Sequence, residues 1–362
     1  MIKIEKWSPT PHFHSRSSTQ QIMMEFNLVL IVVAFISILT YGYTFGVDYG
    51  VKAALMILIA VATTILLETI FFAIGHRFKD GYEWLTLIVK SYSMITAILL
   101  ALCLPIGTPL RIVVFGSMMS VWLGKLVFGG LGYNPFNPAL VGRAIVTIAF
   151  GNLLTTTLSS ADALTSVTPL VNLAQHHYLG TYEQLVTPYG GMMGLFIGTY
   201  GGAIGESVSW IIILSGIYLV FRKIIDWRIP FFYLGTVFIM TWIIALMNGI
   251  GGVWYPFFHL LSGGVLFGAM FMATDLVTSP VARKGKVLFG VCLGILTVVI
   301  RILGNYPEGV FFSILVMNLF KPVIDRGFMG RMSLPLKNSE IRFWNLVALI
   351  VVSISILIGW MI

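Results

Sequence analysis

Apolar residues in this chain come in runs too long for a soluble core. Segments 26–45, 51–75, 86–104, 110–131 and 138–151 are predominantly apolar; after a polar interval, so are 207–221, 229–249, 257–274, 287–303, 309–323 and 343–362. A helix needs about 20 such residues to cross the hydrocarbon of a bilayer. Backbone groups in lipid must be satisfied within the segment, which selects helices. The pattern therefore predicts an all-α polytopic membrane protein of about 10–11 transmembrane helices, each near that length. Two runs, 138–151 and 309–323, are short for a full crossing. The Gly-rich stretch 189–205 reads as a half-helix or re-entrant piece. The interval 152–188 is polar, rich in Ser and Thr, and contains DALTSVTPL at 162–170.

Composition agrees with that class. Hydrophobic residues make up 58% of the 362 positions and charged residues 10%, against about 25% charged in soluble domains. The 37 glycines suit helices packed closely in lipid. The net charge of +8 does not indicate nucleic acid, because the basic residues alternate with the spans. With the N-terminus cytoplasmic, Lys3, Arg16, Arg77, Arg222, Arg283, Lys321 and most other Lys and Arg fall inside, as membrane topology demands. Lys52, Arg111 and Arg301 then lie at the outer edges, and the 152–188 loop is outside. The first 25 residues are polar and lack a signal-peptide core. Two cysteines, Cys103 and Cys292, are too few for a disulfide framework or a zinc site and read as small buried hydrophobes.

Two stretches resemble each other. One starts at Thr108 and the other at Thr278. Both run Thr, Pro, basic residue, apolar span, basic residue, then a break, GYNP at 132–135 and GNYP at 304–307. Five spans separate them, so the copies face opposite ways, the mark of inverted repeats. The expected organisation is a cytoplasmic segment 1–25, a first five-span repeat 26–151, an outer loop and half-helix 152–206, a second repeat 207–323, and a cytoplasmic loop with an extra span 324–362. Such folds bind at midplane breaks. Asn134 and Asn137 precede a helix that Pro135 and Pro138 would start, and their amides suit capping, a polar heteroaromatic ring, or both.

Charge in a bilayer costs at least about 2.5–3.5 kcal/mol per residue and needs a reason. Glu68, Lys90, Lys125, Arg143, Glu206, His259 and Asp275 lie in or beside apolar runs. Glu68 and Lys90 are candidates to pair. Glu206 suits a helix start. His259 reads as a hydrogen-bonded packing residue. Asp275, in FMATDLVTSP, suits a helix cap or a cation ligand at a cytoplasmic entrance. No Walker loop, dinucleotide loop, Ser-His-Asp arrangement or zinc spacing is present.

Three motifs carry a resemblance. SPTPHFHSRSSTQQIM (8–23), GGLGYNPFNPALVGRA (129–144) and LLSGGVLFGAMFMATDLVTSP (260–280) are similar, in order, to segments of the RnfD/NqrB family. That family comprises membrane subunits of ion-pumping, flavin-containing electron-transfer complexes. The resemblance implies an outer loop in which a flavin transferase joins FMN through its phosphate to a threonine. Asp162, Thr165 and Thr168 match that loop, making Thr168 the attachment residue, a phosphorylated threonine in effect; Ser166 and Val167 stand where Gly and Ala are usual. It further implies a noncovalent riboflavin, for which Asn134 and Asn137, with Arg143 nearby, are the candidate contacts. Asp275, from its charge and position rather than from the resemblance, is the candidate residue of a Na+ path. The implied role is electron transport coupled to outward Na+ or H+ transport in a prokaryotic inner membrane. Its partners would be the other membrane and peripheral subunits, with ferredoxin and NAD bound elsewhere; no complete active site lies on this chain. Composition and repeats alone leave open a small-solute channel or transporter, or a structural scaffold.

Overall fold

The computed structural model describes residues 18–75, 79–154, 168–304, 306, 309–328 and 338–362. Among these, helices form the architecture and strands are absent beyond one isolated bridge, Pro105 to Ala203. Helix α1 (Thr19–Phe45) begins with a capping box: Ser18 Oγ accepts from the Gln21 amide, and Gln21 Oε1 accepts from the Ser18 amide. Gly46, at φ 110°, turns the chain in one residue into α2 (Val47–Ile74), a backbone angle that glycine supplies without a Cβ clash. The third segment is broken. Helix α3 (Gly81–Ser91) ends at Tyr92, which sits in the left-handed region at φ 51°, and α4 (Ser93–Cys103) departs at 49°. Then follow α5 (Leu110–Trp122) and α6 (Pro138–Phe150).

Three short helices, α7 (Pro169–Gln175), α8 (Tyr182–Leu185) and α9 (Gly191–Ile197), cross the polar interval. The second series is α10 (Ser209–Phe221), α11 (Arg228–Met247), α12 (Trp254–Leu261) and α13 (Val265–Phe267), the last running into a π-helical turn at Gly268–Met272. The pair α12/α13 is also a broken segment, bent by 67°. Helices α14 (Arg283–Ile302), α15 (Gly309–Phe328) and α16 (Asn338–Met361) complete the bundle.

Among the described residues, six helices are long and apolar enough to cross a bilayer, and the two bent pairs raise this to eight. With α6, α10 and α15 they account for every span the hydropathy predicts. Three expectations change. Segments 86–104 and 257–274 are not straight crossings, because a left-handed residue or glycines interrupt each. The run 110–131 stops at Trp122 and continues as a turn and a single 3-10 turn, Leu126–Phe128. Of the stretch 189–205, only Gly191–Ile197 is α-helical, and Gly198 at φ 99° ends it.

In each series the third segment is the broken one. Helix α2 packs on α4 and α5, and α5 on α6; correspondingly α11 packs on α12 and α14, and α14 on α15. The series meet through α1 with α10 and α6 with α15. Close approach relies on glycine: a Cβ on Gly142 of α6 would come 2.7 Å from the Gly116 carbonyl oxygen of α5, and one on Gly290 of α14 would come 2.9 Å from the Ile229 carbonyl oxygen of α11. Leu, Ile and Phe fill the core between them.

Asp226 fixes the α10–α11 turn. Its carboxylate accepts from Arg228 at 3.1 Å and from Lys286 of α14 at 3.0 Å. Burial alone would raise this carboxyl. The Arg228 amide and the Lys286 and Arg228 charges outweigh it and hold the group below its ordinary 3.8. A depressed carboxyl stabilises above its unfolded value and loses that contribution as pH falls through the folded one. Amide exchange of residues 224–229, corrected for intrinsic rate, should therefore be flat from pH 7 to about 4 and accelerate below. Asp226→Asn should exchange at the fast rate already at pH 7; equal protection in both proteins would show that the turn does not depend on this carboxylate.

Candidate functional site: a cavity at the helix breaks

The GYNPFNP segment folds back on its own amides. Asn134 Oδ1 accepts from the Gly132 amide at 3.3 Å, and its Nδ2 donates to the Phe136 carbonyl at 3.0 Å. Asn137 is the N-cap of α6. Its Oδ1 accepts from the Ala139 amide at 3.1 Å, and Pro138 fills the first helical position, where no amide is needed. Asn137 Nδ2 also donates to the Met272 carbonyl at 3.4 Å, where the π-turn ends. With the Asn318 amide turned to satisfy both neighbours, its oxygen accepts from the Asn137 backbone N–H at 3.1 Å. One asparagine thus ties α6, the end of the second broken segment and α15 together.

Asp275 follows that π-turn, just past the end of its apolar run, and Thr278 Oγ1 donates to it at 3.0 Å. Asn134, Asn137 and Asp275 all line one cavity. Tyr92, at the first break, and Phe26 and Phe271 give it aromatic walls. Two motifs more than a hundred residues apart in sequence converge there. Amides, an acid and flat apolar surface form the donor and acceptor set that a polar heteroaromatic ring requires.

The other predicted residues lie elsewhere. Arg143 is buried in α6 with its guanidinium over the Phe311 ring, 5.3 Å from the centroid, and is not among the cavity's walls. Thr168 is the N-cap of α7, its Oγ1 accepting from the Val171 amide at 3.3 Å. Asp162 and Thr165 fall outside the described residues, as do Ser166 and Val167. Asn305 and Pro307, in the second of the two repeated breaks, also lie outside them. Among the described residues, no group of three or more His, Cys, Asp or Glu could hold a metal ion. Cys103 is buried beside Met272 and Cys292 half-buried, in keeping with an apolar role.

The buried charges pair differently from the sequence expectation. Lys90 is exposed at the end of α3. Glu68 pairs instead with Lys125, Nζ to Oε1 at 2.7 Å, both side chains almost fully buried. Lys125 follows α5, and neither hydropathy nor spacing distinguishes it from Lys90 as a partner. Charge patterning puts Arg301 at an outer edge, yet it is 1% exposed. It donates to the His259 carbonyl at 2.9 Å, and the His259 ring nitrogen Nδ1 lies 3.3 Å away, which fits the packing role expected of that histidine. Leu170 of α7 packs beside Arg301 at Gly263, leaving no space there for a Cβ. Glu206 precedes α10 by three positions rather than starting it. Lys125 and Arg301 thus each bind a carbonyl at or near a break in the third segment of their series, Ser91 in one case and His259 in the other.

Apolar helices, two of the segments broken, with a buried ion pair and an internal cavity between them, define a polytopic membrane protein. The chain belongs to the NQR2, RnfD, RnfE family, whose profile matches residues 6–332. It is 37% identical over 330 residues to a subunit of the proton-translocating ferredoxin:NAD(+) oxidoreductase complex of Clostridium ljungdahlii, covering 88% of this chain and 93% of that one. It is 34% identical over 321 residues to a subunit of the Na(+)-translocating ferredoxin:NAD(+) oxidoreductase complex of Acetobacterium woodii, covering 88% and 92%. A subunit of the ion-translocating oxidoreductase complex of Stutzerimonas stutzeri is 37% identical over 265 residues, covering 65% and 73%.

Proposed function

We propose that this chain is the membrane subunit of an ion-translocating ferredoxin:NAD+ oxidoreductase complex. It relays electrons through FMN bonded to Thr168 and riboflavin held in the cavity at the helix breaks. The observation that carries this reading is the meeting of Asn134, Asn137 and Asp275 with Tyr92 and Phe271 around one cavity. When bound, the flavin rings accept and pass on electrons. The chain's own part is to hold them. Asn137 is fixed on three sides and orients a ring edge; the aromatic walls exclude water; Asp275, which accepts from Thr278, faces the same space and serves the cation path.

The distribution of Lys and Arg supports a topology with the N-terminus cytoplasmic and the flavin-bearing loop on the outer face of a prokaryotic inner membrane. A flavin transferase acting from that side would modify Thr168, and the remaining membrane and peripheral subunits would complete the redox chain. The matching order of straight and broken segments supports two inverted five-helix repeats. Relatives named for Na+ and for proton translocation are both similar to this chain, so the family resemblance supports coupling to either ion.

Asn137→Ala should purify with the covalent flavin intact but at least about tenfold less noncovalent flavin, the loss of roughly 1.4 kcal/mol of binding. Full retention of extractable flavin would move the ring elsewhere. Asp275→Asn should weaken Na+-dependent turnover of the assembled complex without lowering flavin content; unchanged Na+ dependence would remove Asp275 from the cation path.

A further inference from the structure

Four cations converge where α10 ends and α11 and α14 begin. Lys223 follows α10, Arg228 opens α11, and Arg283 and Lys286 lie in the first turn of α14; all four line one pocket. Asp226 is the acid in its wall, and Arg228 and Lys286 already share it, at 3.1 and 3.0 Å. Lys223 and Arg283 are exposed and make no ion pair among the described residues. The wall therefore carries an excess of three positive charges. Asp325 approaches from α15, but it is occupied by Lys321 at 3.7 Å and by the Val281 amide at 2.9 Å. The first turn of α14 adds no acid to offset the positive end of its dipole.

Two further residues show a pocket shaped for an anion. Ser279 lines it and is 8% exposed, yet its hydroxyl has no hydrogen-bond partner among the described residues. A hydroxyl so enclosed is ordinarily paired, and a phosphate oxygen would accept from it. Lys223 holds a position that usually belongs to glycine. It sits at φ 58°; its amide donates to the Val220 carbonyl at 2.9 Å and that of Ile224 to the Leu219 carbonyl at 3.0 Å, the two bonds of a Schellman turn. The turn alone favours glycine, whereas lysine puts a charge in the pocket wall.

The surroundings select the occupant. The pocket lies at the ends of apolar spans, the level of the bilayer surface. Trp227 is in its wall, with the Arg228 guanidinium 5.2 Å from the ring centroid. Phe221 at the end of α10 and Phe231 near the start of α11 expose their rings. Basic pockets between helix ends at a membrane surface suit lipid phosphate. We propose that this pocket seats the phosphate of an anionic phospholipid whose acyl chains lie along the apolar ends of α10 and α11. Inorganic phosphate needs no apolar flank, and a zwitterionic lipid would bring its own cation to a wall already in positive excess. In the topology proposed above, the lipid belongs to the cytoplasmic leaflet. None of the four cations lines the cavity assigned to flavin, so the lipid site stands or falls separately from the cofactor reading.

The test uses the full chain, delipidated in a neutral detergent. Phosphatidylglycerol should raise its melting temperature saturably, on the order of 3 °C. Phosphatidylcholine with the same acyl chains, and inorganic phosphate, should each shift it by less than about 1 °C. Lys223→Gln combined with Arg283→Gln should weaken phosphatidylglycerol binding at least about tenfold. Lys79→Gln combined with Arg326→Gln removes the same charge from exposed positions outside the pocket and should leave the affinity within about twofold. Lys223→Gly separates binding from folding. Glycine relieves the left-handed angle, so the lipid-free variant should melt no lower than the parent while its response to phosphatidylglycerol falls. No response to phosphatidylglycerol in the parent, an equal response to phosphatidylcholine or inorganic phosphate, or equal losses in the two paired variants would overturn the proposal.

Discussion

Thr168→Val is expected to yield a chain with no fluorescent band on a denaturing gel, although it inserts and purifies normally. Valine keeps the shape of threonine and deletes the hydroxyl, the atom to which a phosphodiester would be joined. The structural cost is confined to one cap: Thr168 Oγ1 accepts from the Val171 amide at 3.3 Å, and losing such a cap costs about 0.5–2 kcal/mol. Helix α7 has only seven residues, and its buried side chains, Pro169, Leu170 and Leu173, are untouched by the change. The effect on attachment should be complete while the effect on folding is small. Thr168→Ser, which restores a hydroxyl, should restore some fluorescence. Mass spectrometry of the peptide containing residue 168 reads the same result directly. A band of unchanged intensity in the valine variant would place the bond on another residue.

The largest stability effect should come from Glu68→Gln. Removing one member of a buried ion pair leaves the other charged and unpaired, at a cost of about 3–5 kcal/mol. Lys125 would retain the Ser91 carbonyl and Ser93 hydroxyl but lose its only bonded carboxylate among the described residues. Glu68→Gln combined with Lys125→Met should recover at least half of the loss, since a buried pair replaced on both sides is often close to neutral. Unfolding of the two single variants and the double variant in the same lipid gives the coupling energy. Additive losses would mean that the two side chains do not stabilise one another.

Most span positions are legible in the sequence because hydropathy needs no partner. What is not legible has physical causes. Runs 86–104 and 257–274 are predominantly apolar, so composition cannot show that Tyr92 takes a left-handed angle or that glycines turn the second segment. The partner of Glu68 is ambiguous in sequence because two lysines stand within reach along the chain, and only packing selects Lys125. Arg301 looks like an edge residue because it lies near the end of its span; its burial against His259 comes from packing that the sequence does not show. In the cavity, Asn134, Asn137 and Asp275 are visible through their motifs. Lys125, Tyr92 and Phe271 are not, since lysine and aromatic residues at span ends have many ordinary uses. Arg143 belongs to the GYNPFNPALVGR motif, and helical geometry turns it toward Phe311 instead.

The last helix has a consequence for assembly. The family profile ends at residue 332, and α16 lies beyond it. It is packed along α11, with Asn248 Nδ2 donating to the Gly359 carbonyl at 3.2 Å and Gly359 lying against Met247. A neighbouring protein approaching that flank meets the appended helix first. Its seat against α11 is already taken, so a partner in the membrane would meet other flanks or α16 itself as the new rim.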